Sequence, residues 1–389
     1  MREKGLWQFS LWRLLKKLLK ADNSFKSGRI IGSMCTSPHP LAERVFRRYL
    51  EKNVGDPGLF PATIALEAEA ITALASLLGL KNATGYIVSG GTEANILALW
   101  AAKKASPPEK REVVLSEAAH FSFDKAASLL DLKLIKVPVK SDGSLNLKQA
   151  AQKIGPRTMA LVGIAGTTPL GAVDPIPELS QLAEENNLFL HVDAAFGGFV
   201  IPFARQLGRQ LPEFGFRLAG VKSICIDPHK MGMAVIPAGG ILFRQRELAE
   251  AIRVPVPYLA GGESALPTII GTRSGAAVIA TWAMLKHLGE SGYRAVVKRC
   301  LELTDYLAIQ LKAIPGLALV TEPAINIVGL KSLRLPNTEL AQRLRSLGWA
   351  ISLFDTHLRI VVMPHLRLSH LKHLLADLRR CIVQPKVHF

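Results

Sequence analysis

The sequence predicts an α/β protein in which a mostly parallel central sheet is covered by helices, with a small α+β domain at the C-terminus. Short apolar segments alternate with segments of helical periodicity, which is typical of parallel strands buried on both faces. Polar or reactive residues follow several of the apolar segments. At 389 residues the chain is long enough to fold as more than one domain.

The composition is that of a well-packed globular protein, with 49% hydrophobic and 20% charged residues. No apolar run is long enough to span a bilayer, and charges interrupt the N-terminal apolar positions, unlike in a secretory signal. The four cysteines show no metal-ligand spacing, so we expect no metal site and reduced thiols. These features predict a cytoplasmic protein with no membrane span.

The net charge of +17 favours attraction to anions, which include nucleic acids and acidic small molecules. The basic residues are spread along the whole chain, however, whereas a nucleic-acid footprint usually clusters on one stretch or face. We therefore expect no specific nucleic-acid binding, and favour an anionic ligand or a generally basic proteome.

Residues 1–60 are predicted to form an N-terminal arm followed by an irregular segment. Trp7, Leu11, Leu14 and Leu18 recur at helical spacing with lysines between them, which predicts an amphipathic helix. Such a helix could lie on a membrane surface, but we favour packing on the body or on a second subunit. Turn-forming residues then surround a helix predicted at 41–52, a pattern typical of segments that reach into a site.

Residues 61–290 are predicted to form the large domain, which begins with a helix at 62–78. A short strand from Gly85 then leads through Gly90, Gly91 and Thr92 into a helix that ends at Lys104. Backbone N–H groups at a helix N-terminus beside a threonine hydroxyl make a phosphate site. The alternative is a plain strand–turn–helix in which Thr92 is the N-cap.

The alternation of strands and helices continues to residue 243. Strands are predicted at 113–115, 133–139, 159–165, 188–192, 223–226 and 239–243, and helices at 147–154 and 175–187. Five polar or reactive residues lie at or just after the carboxyl ends of predicted strands: Thr92, His120, Thr167, Asp193 and Lys230. Because ligands bind beyond these strand ends in parallel sheets, the five residues predict one shared site.

Lys230 follows a strongly apolar strand, where a lysine is costly unless it is paired, neutralised or used covalently. One interpretation is a surface lysine just past the strand end. The other is a nucleophilic lysine with a lowered pKa that forms a Schiff base with an aldehyde cofactor.

Residues 291–389 are predicted to form the small C-terminal domain. Glycines at 289 and 292 interrupt the helical pattern, and a long helix at 293–314 leads into a strand–helix–strand–helix segment that ends near Ile382. Within it, Arg359 lies in an apolar strand. A buried arginine requires a carboxylate or phosphate partner, which is either a ligand or an internal salt bridge.

Three motifs occur in a characteristic order: Ser-Gly-Gly-Thr-Glu-Ala-Asn at 89–95, His-Val-Asp-Ala-Ala-Phe-Gly-Gly at 191–198 and Asp-Pro-His-Lys-Met-Gly at 227–232. Together they resemble the fold-type I pyridoxal-phosphate enzymes, specifically the group II decarboxylases and their archaeal L-tyrosine/L-aspartate decarboxylase family. The resemblance covers nearly the whole chain, from Gly32 to His365. It implies pyridoxal 5'-phosphate as the cofactor and a homodimer with shared active sites.

The resemblance also implies roles for individual residues. Lys230 would form the Schiff base, Asp193 would pair with the pyridine nitrogen, and His120 would stack on the ring. The remaining cofactor contacts would come from Gly91, Thr92 and His229 at the phosphate and from Thr167 near the ring oxygen. Asp227 stands where many group II members carry Asn, which leaves its role open.

Four further residues complete the set that the resemblance implies. Arg359 would bind the substrate α-carboxylate, and Tyr258 looks like the mobile-loop tyrosine that protonates the substrate carbon in aromatic amino-acid decarboxylases. Thr272, with Arg273, would serve the phosphate site of the partner subunit.

The predicted reaction is therefore decarboxylation of an L-amino acid. L-Aspartate would give β-alanine, a coenzyme A precursor, and L-tyrosine would give tyramine, a methanofuran precursor. The sequence does not choose between these substrates, or glutamate. The alternatives are an aminotransferase or a carbon–sulfur lyase of the same fold, or a non-catalytic basic scaffold that binds nucleic acid.

Overall fold

The computed structural model describes residues 5–383. Its helices are α1 (Gln8–Leu18), α2 (Pro40–Arg48), α3 (Pro61–Leu77), α4 (Gly91–Lys104), α5 (Ser122–Leu130), α6 (Leu147–Lys153), α7 (Ile176–Glu185), α8 (Ile201–Gln206), α9 (Arg246–Glu250), α10 (Gly275–Lys312), α11 (Asn337–Ser346) and α12 (Leu368–Val383). Residues 1–4 of the predicted arm and 384–389 of the predicted small domain lie outside the described residues.

The strands form a large sheet, a small sheet and a hairpin. They are β1 (Thr84–Val88), β2 (Glu112–Ser116), β3 (Lys133–Val137), β4 (Thr158–Ile164), β5 (Phe189–Asp193), β6 (Val221–Ile226), β7 (Gly239–Phe243), β8 (Val254–Val256), β9 (Ser264–Leu266), β10 (Leu317–Leu319), β11 (Ile327–Ser332), β12 (Ser352–Leu353) and β13 (Leu358–Val361). The division into domains at 60 and 290 stays a prediction.

The large sheet has seven strands in the order β1-β7-β6-β5-β4-β2-β3. Strands β3, β2, β4, β5 and β6 are parallel neighbours, while β7 runs antiparallel to both β6 and β1. All residues of β4 and β5 are buried, as expected for strands with helices on both faces. The predicted mostly parallel α/β fold is therefore confirmed.

This strand order places the carboxyl ends of β4, β5 and β6 side by side. The loops after these strands carry Thr167, Asp193 with its neighbours, and Lys230. Strand β1 runs in the same direction as β6, because both are antiparallel to β7, so the loop that leads into α4 emerges at the same edge. We call this edge the sheet rim.

The main core lies between the large sheet and its covering helices, and a second core surrounds the small sheet. The small sheet is antiparallel, with the order β10-β11-β13-β12. It therefore contains two more strands than the strand–helix–strand–helix prediction, and β10 and β12 are only three and two residues long. Such short strands carry too little periodicity to be recognised in a sequence.

Helix α10 changes direction at Gly289, which has φ of 55° and ψ of −169°. This left-handed φ is strained for residues with a side chain, which explains why glycine occupies the kink. The sequence pattern predicted two helices separated here, and the structure has one long helical run with the break at the same place.

Helix α1 is amphipathic but has no buried residue in this single chain. Trp7 is 87% exposed, Phe9 72% and Trp12 64%. The helix therefore does not pack on the body of its own chain, which was one of the two arrangements that the sequence favoured. Within residues 5–383, no helix is both long and apolar enough to cross a bilayer.

Candidate active site

A cavity of about 410 Å³ opens at the sheet rim. Most of its walls come from the loops after β1, β2, β4, β5 and β6, and Met34 of the N-terminal segment also lines it. Of the five residues predicted at the strand ends, all but Thr167 line this cavity. We call it the rim cavity, and its lining residues are Met34, Ser89, Gly90, Gly91, Thr92, Asn95, His120, Phe121, Ile164, Gly166, Thr168, Asp193, Ala195, Phe196, Asp227, His229 and Lys230.

Lys230 follows β6 by one tight turn, in which its backbone N–H donates to the carbonyl of Asp227. Its Nζ lies 3.0 Å from Oδ2 of Asp227, and the lysine and aspartate side chains are 19% and 2% exposed. Burial alone would lower the pKa of Lys230, but the negative charges of Asp227 and Asp193 outweigh it and raise the pKa. The lysine is therefore a paired ammonium, and not the low-pKa amine of the sequence hypothesis.

Asp193 ends β5 and is 6% exposed. Its Oδ1 accepts hydrogen bonds from the Ala195 N–H at 3.1 Å and the Cys225 thiol at 3.4 Å, while Oδ2 accepts one from Asn95 at 3.0 Å. Burial would raise the pKa of Asp193, but the positive charge of Lys230 and these donors hold the pKa below its usual value. Asp193 is therefore an ionised carboxylate that faces the cavity.

The loop before α4 has the features of an anion site. Gly90 is the N-cap and offers no side chain to the first N–H groups of the helix, which are left for a ligand. A Cβ at Gly91 would lie 3.0 Å from Oδ2 of Asp227, and one at Gly90 would lie 3.1 Å from the His229 ring. The glycines therefore allow the backbone, Asp227 and His229 to approach one another closely. Helix α4 begins at Gly91, so Thr92 is inside the first turn and is not the N-cap.

Glu93 holds this loop in place by accepting four hydrogen bonds. Its Oε2 accepts hydrogen bonds from the backbone N–H and the hydroxyl of Ser89, at 2.8 and 2.7 Å. Its Oε1 accepts from the backbone N–H groups of Ile269 and Ile270. Glu93 was not among the predicted site residues, although a Glu three residues after the N-cap is a common position in helix-capping motifs.

His120 is half-buried after β2, and its Nδ1 accepts a hydrogen bond from the Ser122 N–H at 3.3 Å. This contact leaves Nε2 as the protonated nitrogen of the neutral ring. Burial lowers the pKa of His120, and the positive charge of Lys230 adds to this, while Asp193 opposes it. The lowered pKa favours the neutral ring of His120, which lines the cavity.

Thr167 lies in the turn after β4, and its side chain is used within that turn. It is 1% exposed, and its hydroxyl accepts a hydrogen bond from the Ala172 N–H at 3.0 Å. The neighbouring residues Gly166 and Thr168 line the cavity. A contact between Thr167 and a ring oxygen stays a prediction.

Arg359 lies on β13 of the small sheet and is 7% exposed. It donates to the carbonyls of Thr168 at 2.7 Å and Gly32 at 2.6 Å, and to the Ser352 hydroxyl at 3.1 Å, while its Nε has no hydrogen-bond partner. Burial lowers its pKa to about 10, so it stays charged. No carboxylate within residues 5–383 pairs with it, so an internal salt bridge is not the explanation for this buried cation.

Like Thr167 and Arg359, two further predicted site residues do not line the rim cavity in the single chain. Tyr258 stands between β8 and β9 and is 83% exposed, and Thr272 is exposed before α10. Arg273 is buried, with its guanidinium 2.6 Å from Glu67 and donating to the carbonyl of Ile87, so its hydrogen bonds are used inside the chain.

Asn95 and the residues behind it were not predicted as site residues. Asn95 lines the cavity from α4, and buried His191 and Ser223 extend its hydrogen bonds into the sheet. Asn95 belongs to the motif at 89–95 and His191 to the motif at 191–198. The sequence motifs therefore contained both residues, but not the hydrogen bonds that connect them. The described residues contain no cluster of His, Cys, Asp or Glu suited to a metal ion.

The rim cavity fits pyridoxal phosphate, the cofactor that the sequence resemblance implies. It combines a lysine amine for the aldehyde, an ionised and buried carboxylate for the ring nitrogen, and uncapped helix N–H groups beside a glycine pair for the phosphate. The buried Oδ1 of Asp227, beside the lysine, is one more polar atom that has no hydrogen-bond partner within residues 5–383.

Comparison with known proteins identifies the same chemistry. Residues 41–332 match the family model described as the pyridoxal-dependent decarboxylase conserved domain. The chain is 52% identical over 377 residues to an L-aspartate decarboxylase of Thermococcus kodakarensis, with 97% of this chain and 98% of the relative covered. It is 46% identical to a probable L-tyrosine/L-aspartate decarboxylase of Methanothermobacter thermautotrophicus, over 91% of this chain and 98% of the relative.

Solved structures agree with the fold. A sphingosine-1-phosphate lyase of Burkholderia pseudomallei superposes with a TM-score of 0.90 at 26% identity, covering 98% of this chain and 92% of the lyase. A glutamate decarboxylase of Lactobacillus brevis also gives a TM-score of 0.90, at 24% identity, with 100% and 96% covered. These similarities confirm the predicted fold-type I architecture.

Proposed function

Because this chain belongs to the pyridoxal-dependent decarboxylase family, we propose that its substrate is L-aspartate, with L-tyrosine as the second candidate. The chain is a pyridoxal-phosphate-dependent decarboxylase. The substrate proposal is supported by the names of full-length relatives at 52% and 46% identity, an L-aspartate decarboxylase and a probable L-tyrosine/L-aspartate decarboxylase. The product would be β-alanine from L-aspartate or tyramine from L-tyrosine. We also propose that β-alanine would serve as a coenzyme A precursor, or tyramine as a methanofuran precursor.

The observation that carries the site assignment is the meeting of Lys230, Asp193 and the Gly91 loop in one cavity. When bound, pyridoxal phosphate supplies an aldehyde for the substrate amino group and a ring that takes up the electron pair left by departing CO2. Asp193 is ionised and buried, so it holds a proton on a partner nitrogen better than an exposed carboxylate would. The N–H groups of Gly91 and Thr92, with His229, would bind the phosphate.

Lys230 provides a positive charge and an ionisable amine at the end of the cavity where the reaction would occur. Oδ2 of Asp227 lies 3.0 Å from Nζ of Lys230, so this ion pair holds the amine at a fixed position. A Cβ at Gly91 would lie 3.0 Å from the same oxygen, so the amine is also near the Gly91 loop. Oδ1 of Asp227 has no hydrogen-bond partner within the described residues, so it can accept a hydrogen bond from a ligand beside the lysine. The His120 ring covers one wall of the cavity and limits how far a planar ligand can tilt.

Arg359 orients the substrate in this proposal. Its guanidinium is fixed by the carbonyls of Thr168 and Gly32, and Thr168 itself lines the rim cavity. The unpartnered Nε and the absence of an ion-pair partner within residues 5–383 leave its charge available to the substrate α-carboxylate. Binding of that carboxylate by Arg359 would fix the orientation in which the substrate loses CO2.

A homodimer with shared sites is the second part of the proposal. The apolar residues of α1, with Trp7 and Trp12 exposed, need a partner surface that the single chain does not supply. Tyr258 and Thr272 likewise lie away from the rim cavity of their own chain, and in a dimer they would serve the partner's site. We keep a cytoplasmic location as a proposal, supported by four free cysteines.

The assignment is tested by trapping the cofactor and by measuring products. Borohydride reduction of the cofactor-loaded protein should fix the pyridoxyl group on the peptide that contains Lys230, and Lys230→Ala should lose the label. Release of CO2 should then be measured with L-aspartate, L-tyrosine and L-glutamate side by side, together with transfer of the amino group to a keto acid. Fastest CO2 release from L-aspartate supports the proposal. Amino transfer without CO2 would favour an aminotransferase.

A further inference from the structure

A continuous line of hydrogen bonds runs from the core of the large sheet to Asp193. His191 and Asp193 are two residues apart on β5, so their side chains lie on the same face, and Ser223 is the register partner of His191 on β6. Nδ1 of His191 is 2.8 Å from the Ser223 hydroxyl, and Nε2 is 3.0 Å from Oδ1 of Asn95. Asn95 Nδ2 lies 3.0 Å from Oδ2 of Asp193.

The ionised carboxylate of Asp193, at the end of this line, determines which atom donates the proton in each of its hydrogen bonds. An ionised carboxylate only accepts hydrogen bonds, so Nδ2 of Asn95 must face Asp193 and its Oδ1 must face His191. Nε2 of His191 must then carry the proton, which leaves Nδ1 to accept the hydroxyl proton of Ser223. One tautomer of His191 and one orientation of the Asn95 amide satisfy all the contacts.

Asn95 also connects Asp193 to the segment that carries His120. The second N–H of its amide donates to the Ser122 hydroxyl at 2.9 Å, and the Ser122 backbone N–H donates to Nδ1 of His120. Asn95 therefore fixes two of the groups that line the rim cavity with one side chain.

The residues of this hydrogen-bond line are buried, and Asp193 is the one charged group among them. Asn95 is 1% exposed, His191 and Ser223 are 0% exposed, and none of their side-chain atoms lacks a partner. A buried polar network has no stability advantage over apolar residues of similar volume, although it becomes costly when one member is lost. Stability alone therefore does not account for a polar line that ends on a cavity-facing carboxylate.

The two carboxylate oxygens of Asp193 differ in how many hydrogen bonds they accept within the described residues. Oδ1 already accepts from two donors, the Ala195 N–H and the Cys225 thiol, whereas Oδ2 accepts only from Asn95. Each carboxylate oxygen has two lone-pair sites, so Oδ2 keeps one for a ligand.

We propose that Asn95 and His191 are positioning residues that hold the Asp193 carboxylate in one orientation, with Oδ2 open to the cofactor ring nitrogen. Neither residue touches the reacting atoms; each acts through Asp193. The inference rests on the cofactor role proposed for Asp193 and extends it to two residues behind the cavity.

The proton pattern is tested first in the cofactor-free protein by nitrogen NMR of labelled histidine. The expected result for His191 is a neutral ring with the proton on Nε2 throughout the neutral pH range. The groups that face it are Asp193, Asn95, Ser223 and the Phe123 ring at 6.1 Å, and Asp193 is the one charged group among them. A proton on Nδ1, or a charged ring at neutral pH, would overturn the proposed line.

Three variants test the link to the cofactor. His191→Phe keeps the ring shape but removes both hydrogen bonds, while His191→Gln restores a donor for Asn95. Thr304→Val is the matched control, because it removes a buried hydroxyl that bonds the Cys300 carbonyl within α10, outside the rim cavity. The measurements are the cofactor dissociation constant and the pH midpoint of the absorbance change of the bound cofactor.

The expected result for His191→Phe is about ten-fold weaker cofactor binding and a midpoint shifted by about one pH unit. His191→Gln should recover most of both changes, and Thr304→Val should show neither. Wild-type binding and an unchanged midpoint in His191→Phe would overturn the inference alone. No cofactor uptake by the wild-type protein would overturn the proposed site as well, so the two failures are distinguishable.

Discussion

Nζ of Lys230 lies 3.0 Å from Oδ2 of Asp227, in a pair whose aspartate is 2% exposed and whose Oδ1 has no hydrogen-bond partner. Burial lowers the pKa of Lys230, and the charge of Asp227 is the largest effect that raises it again. Asp227→Asn should therefore lower the pKa of Lys230 and increase its neutral fraction in the cofactor-free protein. The pH profile for labelling of Lys230 by an amine reagent should move to lower pH, as peptide mass spectrometry can follow.

The control for this prediction is Asp124→Asn, which removes the same charge from an exposed pair. Asp124 lies 2.7 Å from Lys136, and both side chains are about half exposed. That variant should leave the labelling profile of Lys230 unchanged. A profile for Asp227→Asn that overlays the wild type would show that Asp227 does not control the lysine.

Arg359→Lys should weaken substrate use without weakening cofactor binding. A lysine keeps the charge but loses the planar fork that can hold the Thr168 and Gly32 carbonyls and still reach a carboxylate. We expect kcat/KM to fall about 100-fold, mainly through KM, with an unchanged absorbance spectrum of the bound cofactor.

Arg244→Lys is the matched control for Arg359. Arg244 also donates to backbone carbonyls, but its acceptors Val221, Phe216 and Leu218 do not line the rim cavity. Arg359 instead donates to the carbonyl of Thr168, which does line it. The Arg244 variant should lose stability and keep the wild-type KM. Equal changes of KM in the two variants would mean that Arg359 has only a structural role.

The residues that could be predicted from the sequence are those whose position follows from strand direction. Asp193 and Lys230 each follow a buried strand, and parallel strands bring their carboxyl ends to one rim. The Gly91 loop could be predicted because a short strand, a glycine pair and a helix follow one another in the sequence. These features need only local periodicity and the general geometry of parallel sheets.

The remaining features depend on contacts between distant parts of the chain. The ion pair of Lys230 reverses the expected direction of its pKa shift, because Asp227 sits within one turn and Asp193 on the next strand. The His191 line needs the register of β5 with β6 and the placement of α4 over both. No periodicity in a single sequence encodes a register or a helix position, so these relationships became visible only in the structure.

His191 should make the protein sensitive to acid. Burial lowers its pKa from 6.5 to about 4, so between these values the unfolded chain binds a proton that the folded chain does not. Stability from this group is complete above about pH 6.5 and falls as the pH drops towards about 4, by about 3 kcal/mol in total. His191→Gln has no such group and should lose this part of the acid destabilisation.

The measurement is the free energy of unfolding in urea for wild type and His191→Gln at about pH 7.5 and about pH 5. The difference between the two proteins should change by about 2 kcal/mol across this interval, to the relative benefit of the variant at the lower pH. The other histidines with a lowered pKa, such as His120 and His229, are common to both proteins and cancel. Parallel pH curves would contradict the prediction.

Tyr258 should act on the site of the partner subunit, because it is 83% exposed in its own chain and lies outside the rim cavity. Tyr258→Phe should keep cofactor binding and lose most CO2 release, and Lys230→Ala should be inactive. In a hybrid dimer of the two variants, one site would combine an intact Lys230 with the partner's intact Tyr258. Refolding an equal mixture should therefore restore about a quarter of the wild-type activity.

Each variant refolded alone is the control for this experiment, and neither should regain activity. The two arrangements give opposite results, since a tyrosine that served its own chain's site would leave both sites of the hybrid dimer defective. Absence of recovery in a mixture shown to contain hybrid dimers would therefore place Tyr258 on its own chain's site. Recovery would instead make the hairpin of β8 and β9 a shared element of two active sites, which accounts for the exposure of Tyr258 in the single chain.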